Sequence, residues 1–341
     1  MISNSGQTNI TDLRIGRDTL NGLGNKIGKF VVTTMEIPWK FSKEKLGGNP
    51  EKVIMIGTME ESWLDKMLES LPQCDTVVGI GGGQAIDAAK YISWKKEIRL
   101  VTVPTILSVD AFVTPAAGIR RNHEVVYVGK SSPDPLVIDF NLLRTAPSEL
   151  NIAGTGDLLS IHTGTFDWEY ANSRGKSEYP FSAQDVANGR RILQKMYSKL
   201  GDIRENSDKG LMAIVEGYMT MNTICLPAGH YRIEEGSEHF LFYELEERLK
   251  RPFVHGYIVG LGIYLMSQLQ KNNHEMIKDV MDRVELKYHP ADMGIGKEDL
   301  IASLLNVKNY VKSKPNLWYS VIDDSNINKE WALNSVKDLK F

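Results

Sequence analysis

The run Thr76-Val77-Val78-Gly79-Ile80-Gly81-Gly82-Gly83-Gln84-Ala85-Ile86-Asp87-Ala88-Ala89-Lys90 constrains the fold more than any other stretch of this chain. An apolar, β-branched segment enters three consecutive glycines and leaves as a helix-forming segment. Such a turn gathers backbone N–H groups and the positive end of a helix dipole at one place with no side chains in the way, which suits a pyrophosphate. A dinucleotide is the first ligand expected there; a tight strand-to-helix turn without a ligand is the plain alternative. The spacing is not G-x-G-x-x-G, and no Gly-Lys-Ser/Thr closes the loop as a P-loop requires.

The neighbouring segments repeat the alternation. Residues 29–34, 52–56, 76–80 and 100–103 have strand character, and residues 60–71 place Trp63, Met67, Leu68 and Leu71 at helical spacing. A helix is expected over 85–94 and two more short strands over 125–128 and 136–138. This order predicts a parallel sheet with helices on both faces and ligands at the carboxyl ends of its strands. Pro133, Pro135 and Pro147 mark a change of character, after which 183–200, 210–224, 235–249, 255–270 and 297–312 all carry helix-period apolar positions. At 341 residues two cores are expected. The expected fold is an α/β domain with a parallel Rossmann-like sheet over 1–147, followed by an all-helical domain over 148–341.

Composition removes several classes of function. The formal net charge of -3 and the lack of a dense basic run argue against a nucleic-acid partner. Cys74 and Cys225 are the only cysteines and form no C-x-x-C pair, which argues against a disulfide framework or a cysteine-bound metal and fits a reducing cytoplasm. Residues 1–12 are polar, so no signal peptide is expected, and no apolar run reaches membrane-spanning length.

In the helical half, Asp157 follows Gly154-Thr155-Gly156, His239 sits in Gly236-Ser237-Glu238-His239-Phe240, and His255 sits in Val254-His255-Gly256. One carboxylate and two imidazoles suit a divalent cation that keeps open positions for a substrate oxygen. Each residue has a second reading: Asp157 as a helix N-cap, His239 as a hydrogen-bonded core histidine, His255 as a surface residue near a helix start. His123, His162, His230, His274 and His289 are taken as structural, His162 being close to one turn from Asp157. Glu36, near the end of strand 29–34, either binds ribose hydroxyls and favours NAD over NADP or is a solvated loop charge. Arg232 is read as a solvated arginine or, alternatively, a phosphate contact.

Four stretches carry a resemblance to a known family: GIGGGQAIDAAK (79–90), VPTILSVDAFVTP (103–115), AGTGDLLSIHTGTFDW (153–168), and GSEHFLFY (236–243) followed by VHG (254–256). In order and spacing the chain resembles the metal-dependent polyol dehydrogenases, a superfamily with a dehydroquinate synthase-like fold, and within it the sn-glycerol-1-phosphate dehydrogenase branch. The resemblance implies that Gly81, Gly82, Gly83, Gln84, Asp87, Thr105, Ser108 and Thr114 line NAD, or NADP. It implies that Asp157, His239 and His255 hold one divalent metal, zinc first and iron or nickel as alternatives. Asp110, Asp157 and Tyr243 fall on positions that meet the substrate. The implied activity is secondary alcohol–ketone interconversion on a small polyol or polyol phosphate, sn-glycerol 1-phosphate/dihydroxyacetone phosphate first, by a cytoplasmic homo-oligomer. The alternative is an NAD- and metal-dependent carbocycle-forming lyase of the dehydroquinate synthase type. Two segments depart from the branch pattern: Tyr231-Arg232-Ile233-Glu234-Glu235, where a Ser-Arg-Pro run is usual, and 108–115, where the branch shows S-x-D-G-I-A-S-P.

Overall fold

The computed structural model describes residues 8–341. It divides into two compact units, Met1–Asn151 and Ile152–Phe341.

The first unit contains β1 (Leu13–Gly16), β2 (Phe30–Thr34), α1 (Glu36–Leu46), β3 (Lys52–Met55), α2 (Glu61–Glu69), β4 (Thr76–Gly81), α3 (Gly83–Lys96), β5 (Arg99–Pro104), β6 (Ala117–Arg121), β7 (Glu124–Val128), β8 (Pro133–Asp139) and α4 (Phe140–Leu143). Six strands form one sheet in the order β1-β8-β5-β4-β2-β3, with every pairing parallel. Sequence-adjacent valines show why both faces must be covered. Val31 packs with Val77, Leu100 and the α2 and α3 residues Leu64 and Ile92, whereas Val32 and Val78 pack on the other face with Leu20, Leu46 and Leu142. Successive strand residues point to opposite faces, so runs without polar alternation demand two cores. The chain passes from β2 outward to β3 and then returns to β4 on the other flank of β2. The carboxyl ends of β2 and β4 therefore form a topological switch point, where such sheets take their ligands.

β6 and β7 form a separate antiparallel hairpin. Its turn residues Asn122 and His123 both have positive φ (53° and 71°), as a two-residue hairpin turn of the twist-compatible type requires. β1 and β6 were not foreseen. Every residue of β1 is only half-buried, so Leu13–Gly16 carries no apolar period. The Ala117-Gly118 start of β6 has little strand propensity.

The second unit consists of helices among the described residues: α5 (Ser148–Ser173), α6 (Ala183–Tyr197), α7 (Leu200–Arg204), α8 (Asp208–Ala228), α9 (Ser237–Leu249), α10 (His255–Gln270), α11 (His274–Arg283), α12 (Lys297–Ser313), α13 (Val321–Asp324) and α14 (Lys329–Ser335). The boundary between the units falls inside α5. The helix expected over 183–200 is α6, which ends at Tyr197, and a short α7 follows from Leu200. The N-cap reading of Asp157 is corrected, because this residue lies well inside the 26-residue α5. Gly154 and Gly156 obscured this, since each interior glycine costs a helix about 1 kcal/mol relative to alanine.

Packing compensates that cost. A Cβ on Gly156 would lie 2.1 Å from the Gly256 carbonyl oxygen, and a Cβ on Gly256 would lie 1.7 Å from the Ala153 carbonyl oxygen. The backbones of α5 and α10 thus touch at a pair of glycines, each the sequence neighbour of a candidate metal ligand.

Candidate functional site

That contact brings Asp157 on α5 against His255, the first residue of α10. Asp157 Oδ1 lies 3.0 Å from His255 Nε2 and 3.7 Å from His239 Nε2. The two Nε2 atoms are 3.3 Å apart. Asp157 and His239 are buried and His255 is partly exposed. One donor atom from each residue falls within 4.8 Å of the others, the one such group of histidines and acidic residues among the described residues. A tetrahedral cation bonded at roughly 2.0–2.1 Å to two imidazole nitrogens holds them about 3.3 Å apart. The donor set therefore fits a divalent metal in both chemistry and spacing.

Two residues outside the expected set orient these donors. Glu238 accepts from the Gly236 N–H at 2.7 Å and from His239 Nδ1 at 2.9 Å through the same Oε1. With the proton on Nδ1, His239 presents the Nε2 lone pair to the cluster, the arrangement by which a carboxylate behind an imidazole makes it a better ligand. The Tyr218 hydroxyl on α8 donates to Asp157 Oδ2 at 3.0 Å, so Oδ1 is the oxygen turned to the histidines. Glu238 was visible as a carboxylate adjacent to a candidate ligand. Tyr218 carried no signal, lying far from the ligands in an apolar helical run.

The electrostatics describe a site that attracts positive charge. Burial alone would lower the His239 imidazole, but hydrogen bonds to Asp157 and Glu238 and the charges of Glu238 and Glu235 outweigh it and raise it to about 10. Burial would likewise raise Asp157, yet His255 and His239 hold it well below the usual carboxylate range. A cation bound there would compete with protons for the same donors, so its affinity would depend on pH. Tyr243 projects from α9 beside His239, ring centroids 6.2 Å apart, and donates to Glu235 Oε1 at 3.0 Å. His162 lies outside the cluster, its Nε2 2.7 Å from the Asn272 carbonyl oxygen.

Arg232 is corrected: it is fully buried, not solvated. Its guanidinium lies over the Trp318 ring at 5.2 Å and donates to the Tyr319 carbonyl oxygen at 3.0 Å. Asp167, on α5, accepts from Ser237 N at 2.8 Å and Val321 N at 2.9 Å. It thereby ties α5 to the starts of α9 and α13.

In the first unit, Gly81 closes β4 at φ 155°, Gly82 is the N-cap residue of α3, and Gly83 is its first helical residue. Thr105 N donates to the Gly81 carbonyl at 3.0 Å, which places the segment after β5 beside the glycine turn. A Cβ on Gly82 would meet Ile106 Cδ1 at 2.8 Å, and one on Gly83 would meet Val109 Cγ1 at 2.9 Å. Part of the need for glycine thus comes from the chain's own following loop. Gln84 is half-buried, while Thr105 and Ser108 are buried. Asp110 opens a single 3-10 turn, Asp110–Phe112. The Asp87 carboxylate is engaged by Lys90 at 2.7 Å, and Lys90 Nζ also reaches the Thr114 carbonyl at 3.2 Å and Oγ1 at 3.4 Å. Glu36 is not a loop residue; it is the exposed first residue of α1, at the end of β2.

The chain thus combines a switch-point parallel sheet bearing a glycine turn with a helical unit that assembles an Asp/His/His set. A family model described as iron-containing alcohol dehydrogenase matches residues 46–147. A glycerol-1-phosphate dehydrogenase [NAD(P)+] of Methanosphaera stadtmanae is 26% identical over 281 residues, covering 82% of this chain and 79% of that protein. One of Thermoplasma volcanium is 24% identical over 340 residues, covering 96% and 95%. The crystal structure of a probable glycerol dehydrogenase from Sinorhizobium meliloti aligns with a TM-score of 0.70 at 20% identity, covering 96% of this chain and 94% of that one. The chain is thus similar to the iron-containing alcohol dehydrogenases over residues 46–147 and to glycerol-1-phosphate dehydrogenases over most of its length. No helix among the described residues is long and apolar enough to cross a membrane.

Proposed function

We propose that this protein is a metal-dependent, NAD(P)-linked oxidoreductase that interconverts a secondary alcohol and a ketone on a small polyol or polyol phosphate. The observation that carries this reading is the donor geometry: two imidazole Nε2 atoms 3.3 Å apart with a carboxylate oxygen 3.0 Å from one of them. The names of the relatives support NAD(P) as cofactor and sn-glycerol 1-phosphate/dihydroxyacetone phosphate as the first pair to assay.

Asp157, His239 and His255 would hold the cation, with zinc first and iron or nickel as alternatives for this mixed O/N set. When bound, the cation would polarise the oxygen of the reacting carbon and the nicotinamide would exchange the hydride. The chain's own residues do the positioning. Glu238 and Tyr218 fix the orientation of two ligands. Gly81, Gly82 and Gly83 leave backbone N–H groups of α3 open to a diphosphate. Gln84, Thr105, Ser108 and Thr114 serve the cofactor from the surrounding loops, and the Asp87–Lys90 pair braces the helix behind the turn. Asp110 and Tyr243 orient the polyol. Glu36 at the end of β2 favours ribose hydroxyls over a 2′-phosphate, hence NAD over NADP.

The test is a screen of small ketones and polyols against both nicotinamides, followed by absorbance with the metal-loaded protein. Net oxidation of NADH or NADPH by a ketone, dihydroxyacetone phosphate first, is expected. Release of inorganic phosphate with no net change in the nicotinamide would replace this reading by the carbocycle-forming lyase.

A further inference from the structure

Glu235 precedes α9 by two residues and lies in the segment that departs from the branch pattern. Its backbone N–H donates to the Tyr231 carbonyl at 2.9 Å, fixing it in a turn. Its Oε1 is taken by the Tyr243 hydroxyl at 3.0 Å, which leaves Oε2 for a further donor. Tyr243 stands against His239, ring centroids 6.2 Å apart, so the hydrogen-bonded Glu235 carboxyl lies beside the candidate cation cluster; burial raises this carboxyl, and the charges of His239 and His255 and the Tyr243 hydrogen bond oppose the rise. The nearby Arg232 does not neutralise this charge, because its guanidinium is turned to Trp318 and Tyr319.

A carboxylate beside a cation site, with one oxygen pinned by a phenol, accepts a hydrogen bond from a hydroxyl and repels a phosphate. We propose that Glu235, positioned by Tyr243, receives the substrate hydroxyl on the carbon next to the reacting one, and so selects hydroxymethyl ketones over ketones that lack this hydroxyl. In a phosphorylated substrate the phosphate then occupies the other arm. The inference rests on the dehydrogenase reading above. A site built to bond a hydroxyl discriminates strongly against the analogue without it, because its own polar group is left unpaired.

The experiment compares kcat/KM for dihydroxyacetone phosphate with that for hydroxyacetone phosphate, which lacks only this hydroxyl, using metal-loaded protein. If phosphate-free ketones are the better substrates, hydroxyacetone and acetone form the pair. The wild-type preference is expected to be about 100-fold or more. In Glu235→Ala it should collapse to within about threefold through loss on the hydroxyl-bearing ketone, with Glu235→Gln intermediate and Tyr243→Phe partly reduced. Metal content should stay at the wild-type level in all three variants, since none removes a ligand. An unchanged preference in Glu235→Ala and Glu235→Gln, or equal losses on both ketones, would overturn the assignment in an otherwise active dehydrogenase. A wild-type protein that reduces no ketone with either nicotinamide would sink the dehydrogenase reading itself, and the inference with it.

Discussion

At the scale of single residues the proposed chemistry needs three donor atoms, and their neighbours decide whether they can serve it. His255 contributes Nε2 from the first turn of α10, where it is partly exposed. Removing it in His255→Ala should lower kcat/KM by about a thousandfold, since a cation of this kind supplies several kcal/mol of transition-state stabilisation. Steady-state kinetics at saturating metal checks this, and wild-type turnover in the variant would contradict it. Glu238 is placed to act through His239, whose Nδ1 lies 2.9 Å from its Oε1. Glu238→Gln keeps the shape but removes the charge behind the imidazole, and metal affinity should fall by about 10- to 100-fold. Competition with a chelator measures that loss, and unaltered affinity would mean the carboxylate only caps the start of α9. Asp157, His239 and His255 could be singled out in the sequence as candidate ligands because each sits in a glycine-marked motif of the family that the chain resembles. Tyr218, Glu238 and Glu235 were not assigned, because a supporting group is defined by what it touches after folding and no spacing announces it.

The elements that matter most are α5, α9 and α10, held by close approach and by one buried carboxylate. Gly156 and Gly256 let α5 and α10 meet at backbone distance, and neither position has room for a Cβ. Gly256→Ala must push the helices apart, which should cost at least 1–3 kcal/mol of stability, roughly the range for overpacking, and should also widen the Asp157–His255 spacing. Chemical denaturation together with metal titration checks both effects; a variant as stable as wild type would show that the helices repack freely. Asp167 is raised to about 6, by burial first and then by the charge of Glu238. Its folded pKa lies above the ordinary carboxylate value, so the folded protein holds this proton more tightly than the unfolded chain. The stabilisation is complete below about pH 4 and lost as pH rises through about 6, on the order of 3 kcal/mol. The unfolding midpoint of wild type should therefore fall relative to Asp167→Asn between pH 4 and pH 6.5, and a constant offset across that range would contradict the assignment. Strands β2, β4 and β5 were readable from unbroken apolar runs, and α10 to the residue from its apolar period after His255. The first half of α5 was misread at Gly154-Thr155-Gly156, where local propensity opposes a helix and tertiary packing enforces one.

At the scale of the whole molecule, the α/β unit supplies a switch point with a glycine turn and the helical unit supplies a candidate cation site, and the proposed turnover requires both. The first was visible because a glycine turn between strand and helix is written in contiguous residues. The second is assembled from positions 157, 239 and 255 on three helices, and only the order and spacing of four motifs tied them together before the coordinates did. The proposed reaction requires that this set bind a metal. Elemental analysis of wild type and His255→Ala, each purified without added metal and each shown to be folded by circular dichroism, tests it directly. About one divalent ion per wild-type chain and almost none in the variant is the expected result. Equal metal content in the two proteins, or a metal-free wild type that takes up no divalent ion when it is supplied, would contradict the central claim.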